Sequence, residues 1–401
     1  MSYINHLPQS LLTLFYNKVY FIIEVIKINR VLKYETIYEA IKEQIIDDKY
    51  PLDQPLPTQI EMAKKFDTSE ITSRRALVEL ANDGIITRIR GKGSFVNPLF
   101  IKQLKSEQNK ITKAYYVHTD VPFQLLSHRF YVDLLEGIHH ACKMKNIKFE
   151  MWNYHRKGEP PNEKGVGLII LNDGKAVGIS LEVLDKWKKE ERPIITSHFY
   201  YPHLDIPYVV VNNVNSGYLA AQHLISQKHK NLGIILTGNS LLDMNQEFMF
   251  RLEGYKLALS HHQIPFYSEN VVIVSGEQES EQMGFEGMKR LLALKKAPTA
   301  VVATSDLKAF GAIEAINDAG LRVPEDISVI GIDDIQLSKY FSPALTTINQ
   351  NSYKLGERSV ELLEEYATTN NSNRKELLKD EIYPKLVLRD STTMFSDYID
   401  I

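Results

Sequence analysis

Several residue types in this 401-residue chain could do chemistry, and their spacing sorts them. His139-His140 and His261-His262 suggest metal pairs. Adjacent helical residues do not share a face, and the H-x-x-x-H and H-E-x-x-H spacings are missing at both places. Solvated histidines are the better reading. Cys142 is the single cysteine, which excludes an internal disulfide framework and a multi-thiolate zinc site. It reads as a small helical filler. Gly174-Lys175 lacks the upstream glycine and the following Ser or Thr of a phosphate-binding loop. No catalytic set and no cofactor motif emerges, so the chain does not read as an enzyme. What stands out is ionic: Arg74, Arg75, Arg88, Arg90 and Lys92 crowd together. Singly, each would be an ordinary solvated charge.

Those five bases need elements to aim them. The formal net charge is −3, so the whole chain does not advertise an acidic partner. Residues 31–97 carry ten Lys/Arg against eleven Asp/Glu, so even this region is not basic overall; only placement can matter. Ile37, Ile41, Ile45 and Ile46 give a first helix one apolar face. Pro51, Pro55 and Pro57 end that pattern. Thr58, with Glu61 three residues on, has capping-box spacing for a short second helix. A third helix runs from near Glu70 to about Asn82 and stops at Asp83-Gly84. Alternation on both sides of Gly91-Lys92-Gly93 predicts a hairpin with a glycine-rich tip. Helix, helix-turn-helix and hairpin make a winged helix at 31–98, with bases on its third helix and wing and acids concentrated in its first helix. A helix of this kind enters a DNA major groove.

These residues also carry a resemblance. Leu56-Pro57-Thr58-Gln59, Ala63, Ser69, Arg74, Ala76-Leu77, Leu80, Asp83-Gly84-Ile85-Ile86 and Gly91-Lys92-Gly93-Ser94-Phe95-Val96 resemble the GntR family of bacterial transcription regulators. The resemblance implies that Thr72, Ser73, Arg74, Gly91, Lys92 and Gly93 touch operator DNA. Thr58, Arg75 and Arg90 complete the candidate set. Glu70, Ile60 and Arg75 depart from the family pattern, which bears on the operator sequence rather than on the DNA-binding role.

Residues 99–112 lack a clear period and read as a linker. From 113 to 398, short apolar runs alternate with amphipathic helices. Strands are expected at Ala114–His118, Lys148–Trp152, Val166–Leu171, Ile194–Ser197, Val209–Asn212, Leu232–Thr237, Val271–Val274, Ala300–Ala303, Ser328–Ile332 and Leu345–Ile348. Alternating strands and helices predict parallel sheets covered on both faces. So long a stretch predicts two lobes, with a ligand beyond the carboxyl ends of the strands.

A second resemblance fits that architecture. Phe130-Tyr131, Asn213-x-x-Ser216-Gly217, Arg251-Leu252-x-Gly254-Tyr255, Thr304-Ser305-Asp306, the run from Gly320 to Asp334, and Ser342-Pro343-Ala344-Leu345-Thr346-Thr347-Ile348-x-Gln350 resemble the LacI-family effector domain. The implied fold class is an α/β two-lobed, type I periplasmic-binding-protein-like effector domain preceded by an α+β winged-helix DNA-binding domain. A GntR-like reader on a LacI-like sensor is similar to the arabinose repressor group. The resemblance implies a cleft that binds a small sugar through Phe130, Tyr131, Arg251, Ser305, Asp306, Asp333 and Gln350, with Ser197 and Asn172 as weaker matches. A carboxylate such as Asp333 can accept from two vicinal hydroxyls, and an arginine such as Arg251 donates in a planar fork. Taken alone, Asp333-Asp334 would be a helix cap, Arg251 would pair with a nearby acid, and Phe130 and Tyr131 would be core.

The expected protein is a cytoplasmic, dimeric, sugar-controlled transcription regulator, most simply a repressor, on double-stranded operator DNA. A pentose or a 6-deoxyhexose is the expected effector by analogy. The alternatives are a solute-binding protein, which the winged helix argues against, and a sugar-converting enzyme, which needs an acid/base pair of defined spacing. Residues 1–30 form an apolar extension. Lys18, Glu24 and Lys27 interrupt it, which argues against a membrane span, and neither a basic n-region nor a small-residue cleavage site marks it as an export signal. An extra packed helix and a start codon assigned too early are the readings left open.

Overall fold

The computed structural model describes residues 33–119, 129–171, 178–276, 279–368 and 379–396. The apolar extension and Asn172 lie outside them. The chain divides into two compact units, residues 1–108 and 109–401.

The first unit opens with α1 (Lys33–Ile46), whose Ile37, Ile41 and Ile45 are buried, followed by α2 (Gln59–Lys65) and α3 (Glu70–Asn82). Thr58 caps α2 in a complete capping box with Glu61. Strands β1 (Ile86–Ile89) and β2 (Gly93–Val96) pair antiparallel, with Ile89 opposite Gly93. The wing tip is therefore the three residues Arg90, Gly91 and Lys92. Gly91 and Gly93 have φ of 78° and 117°, values that L side chains avoid. One small core joins α1, α3 and the wing through Ile41, Met62, Leu80, Ile85 and Val96.

The stretch read as an irregular linker is instead mostly α4 (Pro98–Gln108). Its start carries two helix signals: proline at the first position, and the Asn97 side-chain oxygen accepting from the Leu99 N–H at 3.0 Å. Ile101 is buried in the reader core, so this helix belongs to the first unit.

The second unit contains two six-stranded sheets. In chain order the first lobe supplies β3 (Lys113–His118), α5 (Arg129–Met144), β4 (Lys148–Asn153), the short α6 (Tyr154–Lys157), β5 (Val166–Ile170), α7 (Leu181–Lys189), β6 (Ile194–Ser197) and β7 (Tyr208–Val211). The second lobe follows with α8 (Asn213–Ser226), β8 (Leu232–Thr237), α9 (Gln246–His261), β9 (Val271–Val274), α10 (Glu281–Leu292), β10 (Ala300–Ala303), α11 (Asp306–Asp318), β11 (Ser328–Asp333) and β12 (Thr347–Asn349). The chain then returns to the first lobe as α12 (Ser352–Thr368) and β13 (Lys379–Ile382), and ends in the second with β14 (Lys385–Val387).

The sheet orders are β13-β7-β6-β5-β3-β4 and β14-β12-β11-β10-β8-β9. Every pairing is parallel except β12 with β14. Fully buried runs such as Val166–Ile170 and Ala300–Ala303 explain this, since strands apolar on both sides need helices on both faces. Among the described residues the chain passes between the lobes three times: at Val211–Asn213, Asn349–Ser352 and Ile382–Lys385. The Asn212 N–H donates to the Ile382 carbonyl at 3.0 Å, and Asn349 lies opposite Lys385, so the three crossings run side by side. That is the geometry of a hinge.

Candidate functional site

The reading surface is built on α3. Ser69 caps it, its hydroxyl accepting from the Thr72 N–H at 3.2 Å. Ala76, Leu77 and Leu80 turn inward, which leaves Glu70, Ile71, Arg74 and Arg75 exposed. Among the described residues no acid pairs with Arg74, Arg88, Arg90 or Lys92. Arg75 is partly committed: its guanidinium lies 3.9 Å from the centre of the Tyr34 ring on α1. Thr72 is half-buried, and its hydroxyl lies 2.8 Å from that of Ser69. Thr58 is occupied by its capping box with Glu61. Ser73 differs from the expectation: it is fully buried and its hydroxyl has no hydrogen-bond partner among the described residues. Its register, three and four residues before Ala76 and Leu77, puts it on the core face of α3. Gly93 takes a place in β2, where a Cβ would lie 3.2 Å from Pro55.

In the second unit the anchor is Arg251 on α9, which is buried. Its Nε donates to the Asn213 side-chain oxygen at 3.0 Å, Nη1 to the Thr304 carbonyl at 2.6 Å, and Nη2 to Gln350 Oε1 at 3.0 Å. Gln350 in turn donates to Asp333 Oδ1. Asn213 and Gln350 stand at two of the three hinge crossings. The chain Asn213–Arg251–Gln350–Asp333 therefore ties the end of β11 to the hinge. Gly217 makes this possible: any Cβ there would sit 1.9 Å from the Arg251 carbonyl, so only glycine lets α8 and α9 approach so closely.

Asp333 and Asp334 are not a helix cap. Asp334 pairs with Arg389 at 2.5 Å and accepts from Asn349 at 2.8 Å. Asp333 holds φ at 133°, a strained backbone for a residue with a Cβ, of the kind found at ligand sites. Burial raises its carboxyl above the usual carboxylate range, while Arg251 nearby acts to lower it.

The other lobe contributes rings. Phe130 packs edge-on against Tyr131 at 5.3 Å and lies 4.6 Å from the His198 ring. His198 Nε2 comes within 2.6 Å of Glu247 Oε2 on α9, one turn before Arg251. Tyr200 and Gln246 exchange two hydrogen bonds across the lobes, each 3.2 Å. A largely buried ring cluster of the first lobe thus meets α9 one turn from the Arg251 network, and Phe130 itself belongs to the first-lobe core.

Three expected residues sit elsewhere. Ser197 is fully buried, its hydroxyl 3.1 Å from that of Ser359 on α12, so it faces the interior of its lobe. Asp306 is also fully buried and accepts from the Ile335 N–H at 2.9 Å, Ser338 at 2.6 Å and Thr347 at 2.5 Å. It clamps the β11 end from beneath. Ser305 caps α11, accepting from the Lys308 N–H at 3.3 Å.

The sequence reading missed a buried ion pair. Lys308, wholly buried on α11, donates to Thr237 at 2.7 Å and to the Glu279 carboxylate. Its ammonium lies 4.4 Å from the centre of the Phe248 ring, and the Arg251 guanidinium 5.3 Å from the same ring. Lys308 holds the Glu279 carboxyl below its ordinary value against a desolvation cost that acts the other way. The signal was a single lysine in α11, a helix otherwise apolar on nearly every face; such a residue needs an acid.

Residues 33–96 match the profile of the bacterial regulatory proteins of the gntR family, and residues 221–392 match that of the periplasmic binding protein-like domain. The HTH-type transcriptional repressor PurR of Mannheimia succiniciproducens is 32% identical over 271 residues, which is 65% of this chain and 77% of the relative. The chain belongs to the LacI family of transcriptional regulators. It carries a GntR-type winged helix as its DNA reader. The regulator is also 37% identical over 199 residues to the ribose operon repressor of Haemophilus influenzae, covering 50% of this chain and 57% of that one. A LacI family transcriptional regulator from Enterococcus faecium, solved with bound ribose, covers 71% of this chain and all of its own at 26% identity and a TM-score of 0.55.

The paired histidines, His139-His140 and His261-His262, are exposed, whereas the cysteine is buried. His140 lies 3.1 Å from Glu357, His261 lies 3.2 Å from the Tyr218 hydroxyl, and Cys142 is buried in the first lobe, its thiol pushed up to about 12 by burial. Among the described residues no group of three or more His, Cys, Asp or Glu could hold a metal ion, and no helix is long and apolar enough to cross a membrane.

Proposed function

We propose that the regulator is a cytoplasmic repressor of the arabinose-repressor type, which holds operator DNA as a homodimer and is released when a monosaccharide closes its cleft. The observation that carries this reading is the bonded chain from Asp333 through Gln350 and Arg251 to Asn213. It places the carboxylate of Asp333, a half-buried residue, at a strand end and attaches it to the hinge. Asp333 is the acceptor for vicinal hydroxyls, and half-buried Tyr131 offers apolar ring surface to the C–H face of a sugar, while Phe130 is core and backs that ring. Ribose bound to the Enterococcus faecium relative supports a pentose-sized ligand. Arg251 acts by fixing Gln350 and Asp333. Its donors to Asn213, Thr304 and Gln350 are all engaged.

The reader contacts operator through Arg74, Arg90, Lys92 and the backbone at Gly91 and Gly93, with Thr58, Thr72 and Arg75 at the margins. Two readers on a dimer favour half-sites about one helical turn of DNA apart, or a multiple of it. A thermal-shift screen of monosaccharides followed by mobility-shift titration on the enriched operator tests the whole. A sugar that stabilises the protein should also release the DNA; stabilisation by none of the pentoses or deoxyhexoses removes the sugar reading. Arg74→Ala should weaken operator binding about tenfold or more and leave sugar affinity, measured by calorimetry, unchanged.

The raised Asp333 carboxyl adds a pH signature. A protonated acid accepts fewer hydrogen bonds, so sugar affinity should hold at mildly alkaline pH and fall on acidification. The fall should begin well above the pH at which an ordinary aspartate titrates. Calorimetry across that range checks it, with Asp333→Asn expected to flatten the profile.

A further inference from the structure

Ile71, the second residue of α3, is 82% exposed. Single exposed apolar residues are common on soluble proteins, so exposure alone decides nothing. Its position does. Helical side chains tilt toward the N-terminus, so Ile71 projects over the leading turn of α3, the end that enters a groove. Arg74 and Arg75 share its face one turn on, and Ser73, Ala76, Leu77 and Leu80 occupy the opposite one.

We infer that Ile71 reads the 5-methyl group of a thymine in the operator's major groove. The thymine methyl is the one apolar group that a base pair presents there. The surroundings favour DNA over an apolar protein partner: Arg74, Arg88, Arg90 and Lys92 are exposed on the same helix and wing and have no acid partner among the described residues. Isoleucine also suits a contact of this size, because its branched Cβ leaves little rotamer freedom to lose. Glu70, exposed beside it, repels phosphate and can accept from a cytosine amino group, which turns the same end of the helix toward bases rather than backbone.

The inference rests on the operator-binding reading, and the test separates the two. Full-length protein selects duplexes from a random pool, and each thymine of the enriched duplex is then replaced singly by deoxyuridine, which removes only the methyl. The expected result is one thymine in each half-site whose replacement weakens wild-type binding about threefold to tenfold. Ile71→Ala should lose a similar factor on the thymine duplex and be indifferent to uracil. Ile71→Val, which keeps an apolar branched side chain, should retain the distinction. If no deoxyuridine substitution weakens binding, or Ile71→Ala keeps the wild-type sensitivity, the methyl contact is wrong while the operator reading stands. If no duplex is enriched at all, the operator reading fails and takes this inference with it.

Discussion

Replacing Lys308 with methionine should destabilise the second unit by about 3–5 kcal/mol, because it removes the cation from the Glu279 carboxylate and leaves it the neutral donors Thr237 and Ser305 among the described residues. Methionine matches the lysine stem in volume, so packing changes little, and the loss isolates the charge. Glu279 keeps 15% side-chain exposure, so water relieves part of the penalty and the lower end of the range is expected. The double variant Lys308→Met, Glu279→Gln should recover much of the loss, as a broken pair costs more than an absent one. The pH dependence has a definite sign. Glu279 is held below its ordinary value in the folded protein, so the pair's contribution is present above that value and is lost on acidification. The gap between wild type and Lys308→Met should therefore narrow as the pH falls through the carboxylate range. Denaturant unfolding at two pH values measures both effects. An equal deficit at both would mean that the lysine acts by packing, not by charge.

The contrast between this pair and the strands shows what a sequence exposes. Leu232–Thr237, Val271–Val274 and Ala300–Ala303 could be read to the residue, because each is a short, almost wholly apolar run bounded by polar residues. The reader was equally legible: proline breaks, a capping box and a glycine-rich tip are local signals with one structural meaning each. Strands β13 and β14 were missed, since KDEI and KLV carry no apolar run and owe their place to edges offered by β7 and β12. Helix α4 was missed because its apolar residues, Leu99, Phe100, Ile101 and Leu104, cluster at its start without a clear period; Ile101 docks on the reader core. Of the candidate site, Arg251, Gln350 and Asp333 do form one bonded chain. Ser197 and Asp306 carry polar types that suit a cleft, yet each is consumed by partners 162 and 29–41 residues away in sequence, which local pattern cannot reveal.

Asp333→Ala should weaken sugar binding about a hundredfold or more while leaving operator affinity without sugar near the wild-type value. Two hydrogen bonds to a charged acceptor, each contributing about 1.5–3 kcal/mol, set that magnitude. The split follows from position. Asp333 belongs to the second unit, whereas Arg74 belongs to the first. Regulation requires more than occupancy: a ligand shifts an equilibrium only by its unequal affinity for the two states. In the proposed site the inequality comes from Asp333, which is bonded through Gln350 and Arg251 to two hinge crossings, so a ligand on that carboxylate would act on the segments that join the lobes. Linkage then demands reciprocity. Operator DNA should lower sugar affinity by the same factor by which sugar lowers operator affinity. Calorimetry of the sugar with and without bound operator measures it in the wild type. In Gln350→Ala the carboxylate remains but its tie to Arg251 is cut, so sugar should still bind, more weakly, and the two affinities should decouple. Undiminished coupling in that variant would place the transmission outside this chain of side chains.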